Sequence, residues 1–168
     1  MTVRIVGAAL IAAASVAVGA GCVGIWERRV RQLGAFCRLL GALRDGIAIL
    51  GLPLSQIVSR FSDGVLEESG YLPYLRTALG GGEYGAFSEG LRRCRGTLVL
   101  EEGEMTLLLS CFDALGTEDS GRECARCEYC LARLQALYDE AAAALPARSR
   151  IAKTLSAAAG CVTVLLLL

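Results

Sequence analysis

Cysteine is the residue type in this sequence with the clearest capacity for chemistry. The 168-residue chain contains eight cysteines and no histidine, which excludes catalysis by an imidazole base and metal sites that need an imidazole ligand. Cys124, Cys127 and Cys130 recur at every third position, so on a helix their thiols fall within a sector of roughly 120°. With Cys111 supplied by a neighbouring helix, they could form an all-cysteine zinc site.

The same cysteines also fit an ordinary helix core. Two of them begin an apolar repeat with alternating steps of three and four residues, the pattern of packed helices. The repeat consists of Cys124, Cys127, Leu131, Leu134, Tyr138, Ala141 and Leu145. Free cysteine is among the most frequently buried residues, and a redox Cys-x-x-Cys pair normally lies in a βαβ context that is not evident here. We therefore interpret the cluster as core packing, with a metal or thiol-redox site as the alternative, and predict no catalytic residue and no cofactor.

The elements that position these residues are predicted to be helices. The sequence lacks the sustained alternation of apolar and polar residues that is typical of strands. An apolar stripe predicts a helix over about 27–50 that ends at Gly51, and Pro53 suits the first turn of a short helix through Arg60. We expect a broken helix over 64–79, a glycine loop at 80–82, and helices over 83–95 and 100–115.

A tight turn is predicted before the last long helix. Gly116, directly after Leu115, is placed to end the preceding helix in the left-handed conformation. Ser120 and Glu123 have the spacing of a capping box that starts the next helix, and Asp119 adds negative charge at the positive end of that helix dipole. The sequence therefore predicts an all-α fold in which this turn joins two packed helices.

Uncharged segments at the two ends of the chain predict membrane anchors. Residues 5–26 form a run of 22 residues without a charge, and residues 154–168 form a second run of 15; about 20 residues span a bilayer. Basic residues flank the inner end of each run, which by the positive-inside rule places the region between them in the cytoplasm. The predicted domains are an N-terminal transmembrane helix at 1–26, a cytoplasmic helical bundle at 27–150 and a C-terminal transmembrane helix at 151–168. The alternatives are a cleaved signal peptide, as in a secreted helical protein, and a buried core helix for the tail.

Charge is balanced overall but polarised along the chain. Lys+Arg and Asp+Glu both number 17, and a net charge of zero argues against a dedicated nucleic-acid-binding protein. Basic residues dominate 28–44 and acidic residues dominate 101–140. The basic stretch could be a solvated surface that attracts membrane lipid headgroups or a surface that docks a protein. No small-molecule substrate is predicted.

The ordered combination of these features resembles the stage III sporulation protein AB family of endospore-forming bacteria. The resemblance rests on the length, the terminal apolar segments, the Arg28–Leu33 stretch that begins the first soluble helix, Pro53-Leu54 at the start of the next, and the turn from Leu115 to Asp119. It covers nearly the whole chain. The cysteine-rich stretch 124–130 departs from the ordinary helix residues expected there.

The resemblance implies a cytoplasmic helical bundle similar to the F domain of type II secretion and type IV pilus platform proteins. It implies a two-pass protein of the outer forespore membrane whose soluble region faces the mother cell. There it would be a non-enzymatic platform subunit of the channel between mother cell and forespore, with the ATPase of the same operon and other membrane subunits of the channel complex as partners. The residues we expect to contact partners are Arg28, Arg29, Arg31, Arg38, Arg44, Pro53, Leu54, Leu115, Gly116 and Asp119.

Overall fold

The computed structural model describes residues 2–83, 85–113, 115 and 120–167. Within these residues the protein consists of seven α-helices and has no strand, which confirms the all-α prediction. The helices are α1 (Thr2–Ala48), α2 (Leu54–Arg60), α3 (Gly64–Glu68), α4 (Tyr71–Gly80), α5 (Ala86–Arg93), α6 (Glu102–Phe112) and α7 (Ser120–Leu167). The chain forms two compact units, one made of Arg29–Glu140 and the other of Met1–Arg28 with Ala141–Leu168.

The predicted short helices are present, with small shifts at their ends. The helix that begins after Pro53 does end at Arg60. The broken helix over 64–79 is α3 and α4, separated where Gly70 has a φ of 81°. The helices expected over 83–95 and 100–115 are the shorter α5 and α6.

The long helices differ more from the expectation. The helix predicted to begin near residue 27 is the second half of α1, which runs without a break from the apolar N-terminal segment. Helix α7 likewise begins at Ser120 and continues through Pro146 into the C-terminal segment. The predicted turn residues Gly116 and Asp119 lie outside the described residues.

The unit formed by Arg29–Glu140 has an aromatic centre. The ring of Tyr71 lies 5.3 Å from that of Phe36 and 6.4 Å from that of Phe112, and Phe87 lies 5.3 Å from Phe112. These four side chains come from α1, α4, α5 and α6 and are almost fully buried. The Tyr71 hydroxyl donates a hydrogen bond to the carbonyl oxygen of Phe87 at 3.1 Å, so the one polar group of the cluster is satisfied.

Two polar side chains of α1 connect it to distant parts of this unit. The Gln32 amide donates to the Thr97 carbonyl oxygen and accepts from the Val99 backbone N–H. The Arg38 guanidinium binds the Asp63 carboxylate at 2.6 Å, while the other oxygen of Asp63 accepts the first N–H groups of α3. The Gln32 side chain thus holds the segment that precedes α6, and the Arg38–Asp63 pair holds the start of α3.

The unit formed by the two chain ends contains a close approach of helices. A Cβ atom added at Gly19 would lie 2.8 Å from the Ser156 Cβ atom, so only glycine fits there. In the same unit the Arg148 guanidinium lies 6.0 Å from the centre of the Trp26 ring, a cation–π arrangement. Among the residues of these segments whose side chains are described, the exposed large apolar ones are Val18, Ile25, Ile151, Leu155 and Val162.

The predicted membrane anchors belong to these same segments. Among the residues that the structure describes, no helix combines the length and the hydropathy that a membrane crossing requires. The transmembrane helices predicted at 1–26 and 151–168 are therefore not supported by the structure, and they stay predictions.

Candidate interaction surface

The unit formed by Arg29–Glu140 has an open groove where the ends of several helices meet. Its volume is about 680 Å³. The walls come from the end of α1, the start of α2, the end of α4, the start of α5 and the start of α7. The lining is mainly apolar: Ile47, Leu52, Pro53, Leu54, Leu79, Ala86, Phe87 and Leu115, with Glu83 and Glu123 as the acidic members.

Glycines shape the turns that border this groove. Gly51, Gly82 and Gly85 have φ values of 56°, 75° and 73°, in the left-handed region that residues with a side chain rarely adopt. Gly51 turns the chain from α1 towards Pro53, whose φ of −65° suits the residue before a helix. The turn at Gly51 and the turn at Gly82 and Gly85 therefore set where the helices around the groove end and begin.

Three of the predicted partner-binding residues meet in this groove. Pro53, Leu54 and Leu115 all line it, although Leu115 is 61 residues or more from the other two in sequence. Leu115 is buried at 3% exposure and acts as part of the floor, whereas Pro53 is exposed and Leu54 is partly exposed. The proximity of Leu115 to Pro53 and Leu54 is evident from the structure and not from the sequence.

The sequence predictions missed the two most exposed apolar residues beside the groove. Ile49 and Leu50 are 76% and 63% exposed and lie in the turn between Ile47 and Gly51. The helix predicted over about 27–50 includes both residues, but α1 ends at Ala48, so their side chains do not continue its buried apolar stripe. The sequence feature that could have indicated this exposed pair is its position directly before the glycine turn at Gly51.

The predicted basic surface is largely committed to contacts within the protein. Arg29 binds the buried Glu104 carboxylate, with Nη2 at 2.6 Å from Oε1. Arg38 pairs with Asp63, and Arg44 pairs with the adjacent Asp45. The hydrogen bond to Glu104 is the main cause of the raised pKa of Arg29. Arg28 and Arg31 are exposed.

The cysteine cluster lies between α6 and α7. Cys111, Cys127 and Cys130 are buried, and Cys124 is partly exposed. A hydrogen bond from Cys111 to Cys130 is the first cause of the raised pKa of Cys111, and the same bond lowers the pKa of Cys130. Burial raises the pKa of Cys127 to about 12. Among the described residues, no group of three or more cysteine or carboxylate side chains is arranged to hold a metal ion.

These features define a class of protein. It is an all-α protein in which a helical bundle with an apolar groove is accompanied by two terminal helical segments that pack as a unit of their own. The sequence model of the stage III sporulation protein AB family matches residues 4–168. The chain therefore belongs to that family and is a sporulation protein of structural type, as the resemblance implied. No curated protein and no solved structure shows significant similarity to the chain.

Proposed function

We propose that this chain is a non-enzymatic platform subunit of the membrane complex that connects mother cell and forespore. The 22-residue uncharged run at 5–26 and the apolar tail at 154–168 would anchor it in the outer forespore membrane, with the bundle in the mother-cell cytoplasm. Family membership supports the role in sporulation. The helical bundle would then be the part of the chain that recruits soluble components.

The apolar groove is the observation that carries the proposal. Most of the binding energy of an interface comes from a few side chains that become fully desolvated in well-packed pockets. The groove offers such a surface, and the exposed Ile49 and Leu50 beside it would be buried by a bound partner. We propose that a helical segment of the ATPase from the same operon binds here, in the manner of a helix in an apolar groove.

Co-purification of the full-length chain with this ATPase in detergent tests the proposal. The double variant Ile49→Ser/Leu50→Ser removes the apolar pair without touching a buried residue, and we expect it to weaken binding at least tenfold, which corresponds to about 1.4 kcal/mol. Thr106→Ser/Gln135→Ser is the control, because it also introduces two serines at exposed positions, and neither residue lines the groove. Undiminished binding by Ile49→Ser/Leu50→Ser, or an equal loss in the control variant, would contradict docking at the groove.

A further inference from the structure

A second exposed surface lies on α7 and differs from the groove in charge. Arg122, Arg126, Tyr129 and Arg133 are separated by steps of four, three and four residues, so they share one face of the helix. Arg122, Tyr129 and Arg133 are exposed, and Arg126 is partly exposed. We call this face the arginine–tyrosine stripe.

The stripe has the composition of a binding surface. Arginine and tyrosine are enriched among the residues that dominate interface energies, and Tyr129 is 68% exposed. Arg122, Ala125, Arg126 and Tyr129 line a shallow concavity of about 420 Å³. The small side chains of Ala125 and Ala132 beside the stripe leave room for a second backbone to approach α7.

Two arginines of the stripe, Arg122 and Arg133, have charges that are available to a partner. In the part of the chain that the structure describes, Arg122 and Arg133 form no ion pair, unlike Arg29, Arg38 and Arg44. The helix position of Glu128 places it at least about 100° around α7 from each member of the stripe. The stripe is therefore a narrow basic face with an aromatic residue in it, and charge complementarity favours an acidic occupant.

We propose that the arginine–tyrosine stripe binds an acidic helical segment of a protein partner. Lipid recognition typically uses clusters of four to eight basic residues, and the stripe has three. Nucleic-acid binding normally depends on a strongly basic domain, whereas this chain has a net charge of zero. An acidic protein segment needs only a few arginines, and an apolar side chain in its sequence can pack on the Tyr129 ring.

The test uses the full-length chain in a neutral detergent and a fluorescent helical peptide built from Glu-Glu-Leu-Glu repeats. We expect saturable binding that weakens with added salt. Arg122→Glu/Arg133→Glu should weaken it at least tenfold, and Tyr129→Ser several-fold. The control is Arg60→Glu/Arg150→Glu, which changes the net charge by the same amount at two other exposed arginines and should leave binding within twofold.

Four outcomes would overturn the proposal. Equal weakening by the two charge-reversed pairs would mean general attraction between opposite charges. Binding of phosphatidylglycerol vesicles or of single-stranded DNA through Arg122 and Arg133, with no binding of the peptide, would identify a lipid or nucleic-acid site. Self-association that Arg122→Glu/Arg133→Glu abolishes, again without peptide binding, would identify a second copy of the chain as the occupant. Because Tyr129→Ser leaves the charge of the stripe unchanged, weaker binding by this variant would support a contact with the tyrosine ring, and unchanged binding would contradict it.

Discussion

Glu104 shows how one buried carboxylate can serve two purposes. Its side chain is 2% exposed, and it binds the Arg29 guanidinium from α1. It also accepts the Glu101 backbone N–H at 2.7 Å, which completes a capping box at the start of α6. The residue therefore joins two helices and satisfies a helix end at the same time.

Replacement of Glu104 by alanine should strongly destabilise the protein. The substitution removes the buried carboxylate that pairs with the Arg29 guanidinium, whose side chain is 15% exposed, and leaves Arg29 paired with Glu101, which is 64% exposed. Removal of one member of a buried ion pair costs roughly 3 kcal/mol or more, and urea denaturation of the full-length chain in detergent measures this free energy of unfolding. Glu104→Gln keeps a hydrogen-bond acceptor and should lose less.

Glu102→Ala is the matched control on the same helix. Glu102 pairs with Arg95, but its side chain is 81% exposed, and an exposed pair contributes less than about 1 kcal/mol. Similar losses of stability in Glu104→Ala and Glu102→Ala would show that the buried ion pair has no special role.

At the scale of the elements, the sequence predicts local structure better than long-range contacts. The short helices follow from apolar periodicity and from Gly51 and Pro53, which act on their immediate neighbours. Arg29 was predicted as a surface contact because nothing nearby in sequence reveals Glu104, which lies 75 residues away. The groove was not predicted for the same reason, since its walls come from the ends of five helices.

The buried side of α7 was also predicted only in part, because it depends on contacts with another helix. The apolar repeat correctly includes Cys127 and Leu134, which are fully buried, but it places Leu131 on the core side, where the structure buries Cys130 instead. A shift of one residue rotates the predicted face by about 100°. Whether Leu131 or Cys130 is buried depends on the facing helix α6, where Cys111 forms a hydrogen bond with Cys130.

The packing of α2 against α1 depends on a glycine that can be tested directly. A Cβ atom at Gly46 would lie 2.5 Å from Cδ1 and 2.6 Å from Cγ1 of Ile57, and Ile57 is buried. Gly46→Ala should therefore lower the free energy of unfolding, because overpacking of about 1–3 kcal/mol exceeds the helix-propensity gain of alanine, which is at most about 1 kcal/mol. Urea denaturation again gives the value.

The control for this prediction lies on the same helix. Gly41 has no atom within 4 Å of the position that a Cβ would take, so Gly41→Ala should stabilise the protein by about 0.5–1 kcal/mol. Opposite signs for the two substitutions are expected. Stabilisation by both would mean that Ile57 moves aside at no cost and that Gly46 is not needed for this contact.

At the scale of the whole molecule, the two chain ends form a unit that the sequence describes only as two apolar segments. Small residues allow close helix approach, and here the close approach occurs between Gly19 and Ser156. If these segments cross a membrane as proposed, this contact would hold the two crossings together. The bundle at Arg29–Glu140 has its own core, so the packing of the ends can be tested separately.

Gly19→Leu should disrupt the terminal unit and leave the bundle folded. A Cβ atom at this position would lie 2.8 Å from Ser156 Cβ, a distance that rotation of the serine side chain cannot relieve, so the two helices must separate. Trp26 is the single tryptophan of the chain and lies in this unit, which makes its fluorescence a local reporter of thermal unfolding in detergent. We expect a lower midpoint by tryptophan fluorescence for Gly19→Leu.

Gly21→Leu is the control, because no atom lies within 4 Å of the added Cβ, and it should keep the midpoint of the unmodified protein. Equal midpoints for the two variants would contradict a specific contact between Gly19 and Ser156, and the terminal helices would then have to be held together by other side chains.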